Sequence, residues 1–214
     1  MFSRVYNLSN VTNMNKPAEF WIEQLNLVEH PGEEDGFFAV PFEDSFTILN
    51  RNKVQNCQKD FKIIYENFKE ERPVASIAYF LQKKAEIPTT ETMMFKCLST
   101  EMLFYHAGLP LSIYILEKAN ISNNSFPLDI FSFYPPIQDA TNAQDLKHVI
   151  LGPRVDQGHV LAFPVPADTW FTRLVDTTEK ASVDYSLFSC SLAPGFHVAD
   201  FKAKILKNVL NDVK

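Results

Sequence analysis

Glycine and cysteine are both scarce in this chain of 214 residues, which contains six glycines and three cysteines. The sequence has no glycine-rich loop of the kind that cradles phosphate groups. Cys57, Cys97 and Cys190 form no Cys-x-x-Cys pair, which argues against a zinc knuckle and a thioredoxin-like redox motif. An odd number of cysteines without a signal peptide indicates a reducing compartment. We therefore expect a cytoplasmic protein, or a nuclear one by diffusion, that is not secreted.

Long apolar runs and basic runs are missing as well. No segment approaches the roughly 18 consecutive apolar residues that a membrane-spanning helix needs. The formal net charge is −6, and no arginine-rich stripe is interleaved with aromatic residues. A chain with this charge distribution binds the phosphate backbone of a nucleic acid weakly. The sequence therefore predicts a protein that binds neither nucleic acid nor membranes.

Phenylalanine, by contrast, is abundant, with 19 copies, many of them close to β-branched residues. This pairing favours a core built from strands. Short apolar segments bounded by turns predict those strands, and the clearest are VASIAYFLQ from Val74, LSIYILE from Leu111 and YSLFSCSLA from Tyr185. FFAVPF from Phe37 predicts a strand with an edge or a bulge at Pro41. FKIIYENF, at residues 61–68, fits a strand and a short helix equally well.

Helices are expected near both ends of the chain. Pro17 suits the first turn of a short N-terminal helix, because its missing N–H is not needed there. The tail ADFKAKILKNVLNDV has apolar residues at steps of four, including Phe201, Ile205 and Val209, and predicts an amphipathic C-terminal helix. Many short strands with a helix at each end predict an all-β antiparallel barrel or sandwich.

The chain shows no linker that would divide it. We expect residues 1–15 to be a flexible leader and residues 16–214 to form a single domain. Residues 119–147 have little periodicity and contain Pro135-Pro136, so they predict a long surface insertion. Loops of this length are often functional, and a strap packed over the barrel is the other interpretation.

Six segments, in chain order, resemble one family. They are LVEHPGEEDGFF, RPVASIAYFL, STEMLFYHAGLPL, HVILG, FPVPADTWF and SLFSCSLAPGFHVADF, which together extend from Leu27 to Phe201. Through them the sequence resembles the cupins, specifically a branch catalogued as a domain of unknown function. The resemblance implies an RmlC-like jelly-roll barrel with a pocket in its mouth, often as a homodimer.

Cupins often hold a metal in that pocket, and the resemblance places the ligand positions on this sequence. The glutamate and the later glycine of the first motif are Glu101 and Gly108. Positions where the family or this branch has histidine ligands carry other residues, namely Phe95, Cys97, Phe104 and Phe171. Because phenyl rings cannot coordinate a first-row metal, we predict that the chain binds no metal and no cofactor.

The pocket itself is predicted to be aromatic and to carry one carboxyl group. Its expected members are Glu101, Phe95, Cys97, Phe104, Tyr79, Tyr114, Trp170, Phe171 and His159. Each aromatic residue, taken singly, fits core packing equally well. Glu101 has three interpretations: a rim residue that reaches water, a buried anchor with a raised pKa, or a catalytic acid or base.

Two functions follow from this sequence. The first is a degenerate, metal-free cupin-like domain, a pseudo-enzyme that binds a small molecule or a protein partner. The alternative is a metal-independent isomerase or epimerase, in which Glu101 is the base and Tyr79 or Tyr114 the acid. A third possibility is a protein–protein role in which the insertion at residues 119–147 or the N-terminal leader is the docking surface.

Overall fold

The computed structural model describes residues 16–31, 36–44, 48–49, 71–83, 92–116, 146–176 and 182–212. Helix α1 spans Ala18–Gln24 and helix α2 spans Leu206–Asp212. The described strands are β1 Val28–Glu29, β2 Gly36–Glu43, β3 Ile48–Leu49, β4 Arg72–Pro73, β5 Ser76–Lys83, β6 Met93–Lys96, β7 Thr100–Gly108, β8 Leu111–Leu116, β9 Leu146–Leu151, β10 Ala162–Val165, β11 Phe171–Val175, β12 Tyr185–Ala193 and β13 Lys202–Ile205.

Most of these strands form two antiparallel sheets. The first sheet has the order β1-β2-β5-β12-β7-β10, and the second has the order β13-β6-β11-β8-β9. Strands β3 and β4 pair with each other. Neighbours in both sheets are distant in sequence, as when β12 pairs with β5 and β7. The prediction of an all-β, antiparallel fold is therefore confirmed.

The alternation of side chains explains why these segments form strands and where the core lies. In β7, every second residue from Glu101 to Ala107 is buried, while the residues between them are more exposed. The inward-facing residues of both sheets form one shared core, which we call the interior; it includes Phe95, Leu103, Ile113, Phe163, Phe171 and Phe188. Phe80 and Phe201 pack against this core and add to its aromatic content.

Each helix covers the outer face of one sheet. Residues near α1 pack on the first sheet, where Ala18 and Leu27 join Leu81 and Tyr185 in a second apolar cluster. The indole of Trp21 donates a 2.7 Å hydrogen bond to the hydroxyl of Tyr185. Helix α2 packs on the second sheet through an apolar cluster of Met94, Leu116, Trp170, Leu206 and Val209. The predicted N-terminal helix is thus confirmed.

The predicted C-terminal helix exists but begins later than its spacing indicates. Residues 202–205 form β13, which pairs antiparallel with β6. Lys202 and Lys204 are exposed while Ala203 and Ile205 are half-buried, so the period is two and not 3.6. Pairing with a sheet edge has overridden a helical pattern, and the helix starts only at Leu206.

The structure describes the predicted irregularity at Pro41 but not several other predicted segments. The register between β2 and β5 shifts between Ala39 and Phe42, which confirms an irregularity at Pro41. The predicted leader, the FKIIYENF segment and nearly all of the predicted insertion at residues 119–147 lie outside the described residues. Within the described residues, no helix is long and apolar enough to cross a membrane.

Gly108, the glycine of the first cupin motif, has a positive φ of 86° and lies against Tyr185. A Cβ at this position would overlap the backbone oxygen of Tyr185, whereas one at Gly158, with a φ of 88°, would meet nothing within 4 Å. We expect Gly108→Ala to destabilise the fold by about 3 kcal/mol or more, and Gly158→Ala by about 1 kcal/mol. Urea denaturation of both variants measures the difference, and equal losses would contradict the steric explanation.

Candidate functional site

Glu101 lies in the interior and not on its rim. The alternation of β7 turns its side chain inward, and the residue is 7% exposed. It is opposite Leu192 of β12 and Val165 of β10, both of which are buried core residues. Of the interpretations left open by the sequence, a rim position in contact with water is therefore wrong.

Glu101 is accompanied in the interior by two thiols. The Cys190 thiol makes a side-chain hydrogen bond with Glu101. Burial raises the pKa of Cys190 well above its usual value, and the nearby Glu101 carboxyl and Cys97 thiol raise it further. Cys97 and Cys190 are both free and buried. Cys190 is therefore held in the neutral, unreactive form that burial favours.

Arg173 completes this group and was not anticipated from the sequence. It is 5% exposed, and its guanidinium carbon lies 5.0, 5.2 and 5.4 Å from the ring centroids of Phe80, Phe188 and Phe95. The positive charge of Arg173 lowers the pKa of the Cys190 thiol, whereas the Glu101 carboxyl group raises it. We call Glu101, Cys97, Cys190 and Arg173 the interior polar group.

A signal for Arg173 was present in the sequence. In the segment FTRLV, Arg173 alternates with Phe171 and Val175, so a strand that buries those two also turns Arg173 inward. Gln82 of β5 donates a 3.1 Å hydrogen bond to the backbone oxygen of Arg173. This bond connects the two sheets next to the guanidinium.

Four of the predicted pocket residues do come together. Glu101 belongs to the interior polar group with Cys97, and Phe95 and Phe171 belong to the same core. The rings of Phe95 and Phe171 meet edge to face at 6.5 Å, and their backbones are paired across β6 and β11. The former ligand positions therefore remain neighbours, but as packing partners.

Two predicted residues lie on the opposite face of the first sheet. Phe104 follows the inward Leu103, so strand alternation turns it outward, where it is opposite Ser189. Tyr79 packs with the cluster beneath α1, and its ring meets that of His106 edge-on at 5.7 Å. The structure does not bring either residue to Glu101.

The remaining three also lie apart from Glu101. Tyr114 stacks on His148 at 4.6 Å, on the outer face of the second sheet, and burial raises its pKa. Trp170 packs in the cluster beneath α2. His159 precedes β10, where its Nδ1 accepts a 3.3 Å hydrogen bond from the Arg154 N–H, and burial lowers its pKa. Alternation along β8 turns Tyr114 away from the interior, where its neighbours Ile113 and Ile115 lie.

A metal of the cupin type does not fit these residues. Phe95 and Phe171 supply no lone pair, and the guanidinium of Arg173 occupies the same interior with a positive charge that repels a cation. Among the described residues, no group of three histidine, cysteine or acidic side chains has a geometry that holds a metal. The donor set consequently argues against metal binding here.

A cavity lies at the edge of this aromatic region. It is water-sized, with a volume of about 10 Å³, and its lining residues are His30, Gly36, Phe37, Phe80, Leu81, Gln82 and Phe188. Phe80 and Phe188 are the same rings that contact Arg173. The interior polar group and the cavity thus share a wall.

The sequence matches the family described as "Cupin superfamily (DUF985)" over residues 19–204. The chain belongs to the cupin superfamily. The matched residues include nearly all of the two sheets and the whole interior polar group, so the predicted membership and the predicted jelly-roll fold are confirmed. No curated protein matches the chain.

Solved structures agree with this cupin assignment. A hypothetical protein from Leishmania major is 26% identical, with a TM-score of 0.57 and coverage of 87% of this chain and 86% of that one. A protein from Shewanella oneidensis is 20% identical, with a TM-score of 0.59 and coverage of 92% and 89%. The similarity covers most of each relative's chain, but neither name carries a function.

Removal of the Arg173 charge tests whether the interior polar group acts as a unit. We expect Arg173→Met to lower the free energy of unfolding by about 3–5 kcal/mol, because a buried carboxyl group loses a compensating charge. The double variant Glu101→Gln with Arg173→Met should lose less than the sum of the single variants. Urea denaturation provides all three values, and strict additivity would show that the two residues do not interact.

The two interior thiols should resist modification in the folded protein. In a Cys57→Ser background, we expect Cys97 and Cys190 to react with iodoacetamide far more slowly at pH 8 than in the urea-unfolded chain, because burial excludes the reagent and raises the pKa of Cys190. Mass spectrometry distinguishes the two labelled cysteines. Rapid native labelling of Cys190 would contradict its placement.

Proposed function

We propose that this cupin is a metal-independent binding module, in which the interior polar group replaces the metal centre as the rigid core of the barrel. The observation that carries the proposal is the buried Arg173, held by three phenylalanine rings in the space that also contains Glu101. A fixed cation at this position is incompatible with a second, divalent cation.

The module takes a small molecule or a protein as its partner. The cavity beside Arg173 is water-sized, at about 10 Å³, far below the roughly 300–1,000 Å³ of a small-molecule pocket, so it is not itself a ligand pocket. Phe80 and Phe188 stack at 5.4 Å with an interplanar angle of 13° and form a preorganised wall beside Arg173.

The isomerase alternative receives no support from the geometry. It requires Glu101 and a tyrosine to act on one substrate from opposite sides. Tyr79 and Tyr114 each lie on an outer face, whereas Glu101 lies inside. The inward tyrosine of β7, Tyr105, donates its hydroxyl to the Gly108 backbone oxygen at 2.7 Å, and its pKa is raised to about 12, mainly by burial. The homodimer and the cytoplasmic location stay predictions.

Metal analysis tests the proposal directly. We expect the purified protein to carry only substoichiometric iron, manganese, nickel or zinc, and its melting temperature to be unchanged when each ion is added. A matched variant with Phe95→His, Cys97→His and Phe171→His restores imidazoles at the family positions and shows whether the assay detects a cupin site. One equivalent of metal that disappears in Glu101→Ala would overturn the proposal.

A further inference from the structure

We infer that the cavity lined by His30, Phe80, Gln82 and Phe188 is the site of one ordered water molecule, which bridges the Nδ1 atom of His30 and the side-chain oxygen of Gln82. The bridge ties the edge of the first sheet, where His30 follows β1, to the side chain that bonds to Arg173. The inference goes beyond the proposed function, because it assigns a binding site outside the interior polar group.

The volume of the cavity matches one water molecule. It measures about 10 Å³, and roughly 10–15 Å³ on this scale is enough to hold a single water. Gly36 lines the cavity without a side chain, and a Cβ there would overlap the backbone oxygen of Leu81 in the neighbouring strand. The cavity therefore selects its ligand by size.

A buried nitrogen atom supplies the first partner for the water. The Nδ1 atom of His30 is buried and makes no hydrogen bond to any residue that the structure describes. Burial of such an atom without a partner is unfavourable, and ordered waters usually satisfy groups of this kind. Water can bond to Nδ1 in either tautomer of the ring, because water both donates and accepts hydrogen bonds.

The amide group of Gln82 supplies the second partner. Its nitrogen donates the 3.1 Å hydrogen bond to the backbone oxygen of Arg173, so its side-chain oxygen remains as an acceptor on a residue that lines the cavity. A buried water typically needs about two to four polar partners. His30 and Gln82 meet this requirement from opposite ends of one water molecule.

The surroundings favour a neutral ligand over an ion. Phe80 and Phe188 stack at 5.4 Å and form apolar walls, which do not offset the cost of removing a charge from water. The guanidinium of Arg173 contacts the same two rings and repels a cation. The side-chain oxygen of Gln82 carries partial negative charge and repels an anion.

His30 is held in position for this contact. Its backbone N–H donates a 3.0 Å hydrogen bond to the Gly36 oxygen, and its ring packs edge to face on Phe38 with centroids 4.8 Å apart. Because both the backbone and the ring are held, Nδ1 presents one preferred direction to the water. The bridge is therefore an ordered part of the fold, and it extends the connection between Gln82 and the second sheet as far as the edge at β1.

A crystal structure of the full-length protein, at a resolution that shows ordered waters, tests the site directly. We expect one water within about 3.2 Å of both His30 Nδ1 and Gln82 Oε1. Data collected at room temperature exclude a water that is trapped by freezing. A map that shows ordered waters elsewhere but no density in this cavity would overturn the inference.

Two matched variants test the role of His30. His30→Phe keeps an aromatic ring beside Phe38 but removes Nδ1, so it should lose the water. His148→Phe is the control, because it also removes a buried ring nitrogen without a described partner, on the outer face of the second sheet, and it should keep the water. Retention of the water in His30→Phe, or its loss in His148→Phe, would contradict the assignment.

A double-mutant cycle tests the bridge in solution. His30→Phe and Gln82→Met each remove one end of it, so the double variant should lose clearly less stability than the sum of the two single losses. Urea denaturation measures all three losses, and additive losses would overturn the bridge even if a variant does not crystallise.

The outcome is distinguishable from a failure of the proposed function. Stoichiometric metal in the purified protein would overturn the metal-independent module and leave the water bridge intact. An empty cavity in a metal-free protein would overturn only the water bridge.

Discussion

The buried guanidinium of Arg173 is the constraint on which the rest of the interior depends. It comes from the second sheet, and two of the rings that hold it, Phe80 and Phe188, come from the first. Removal of such a charge from water costs several kcal/mol, while each cation–π contact returns about 0.5–2 kcal/mol. The three ring contacts offset only part of the cost of removing the Arg173 charge from water. The carboxyl group of Glu101, which lies in the same interior, offsets more of it.

This constraint gives Glu101 a different role from the one that the cupin motif implies. In the family pattern a glutamate at this position joins imidazoles around a metal. Here its carboxyl group shares the interior with Arg173 and accepts the Cys190 thiol hydrogen bond. A buried cation is less costly beside a buried acid, so Glu101 serves the interior without any imidazole around it.

Strand periodicity makes the fold largely predictable from the sequence, because burial of one sheet face imposes a period of two on the apolar segments. The same period turns Phe104 and Tyr114 away from Glu101 and turns Arg173 inward. Motif positions carry no information about side-chain direction, so a pocket predicted from them includes residues of both faces. Pairing between distant strands is not readable from local pattern, so the four-residue spacing after Phe201 predicts a helix where residues 202–205 pair with β6.

The phenylalanines at the family's ligand positions also change the role of the interior. Phe95 and Phe171 contact each other edge to face at 6.5 Å and belong to the buried core. Each buried ring stabilises the fold by roughly 1.5–3 kcal/mol, so these positions support the structure where imidazoles would have held a metal.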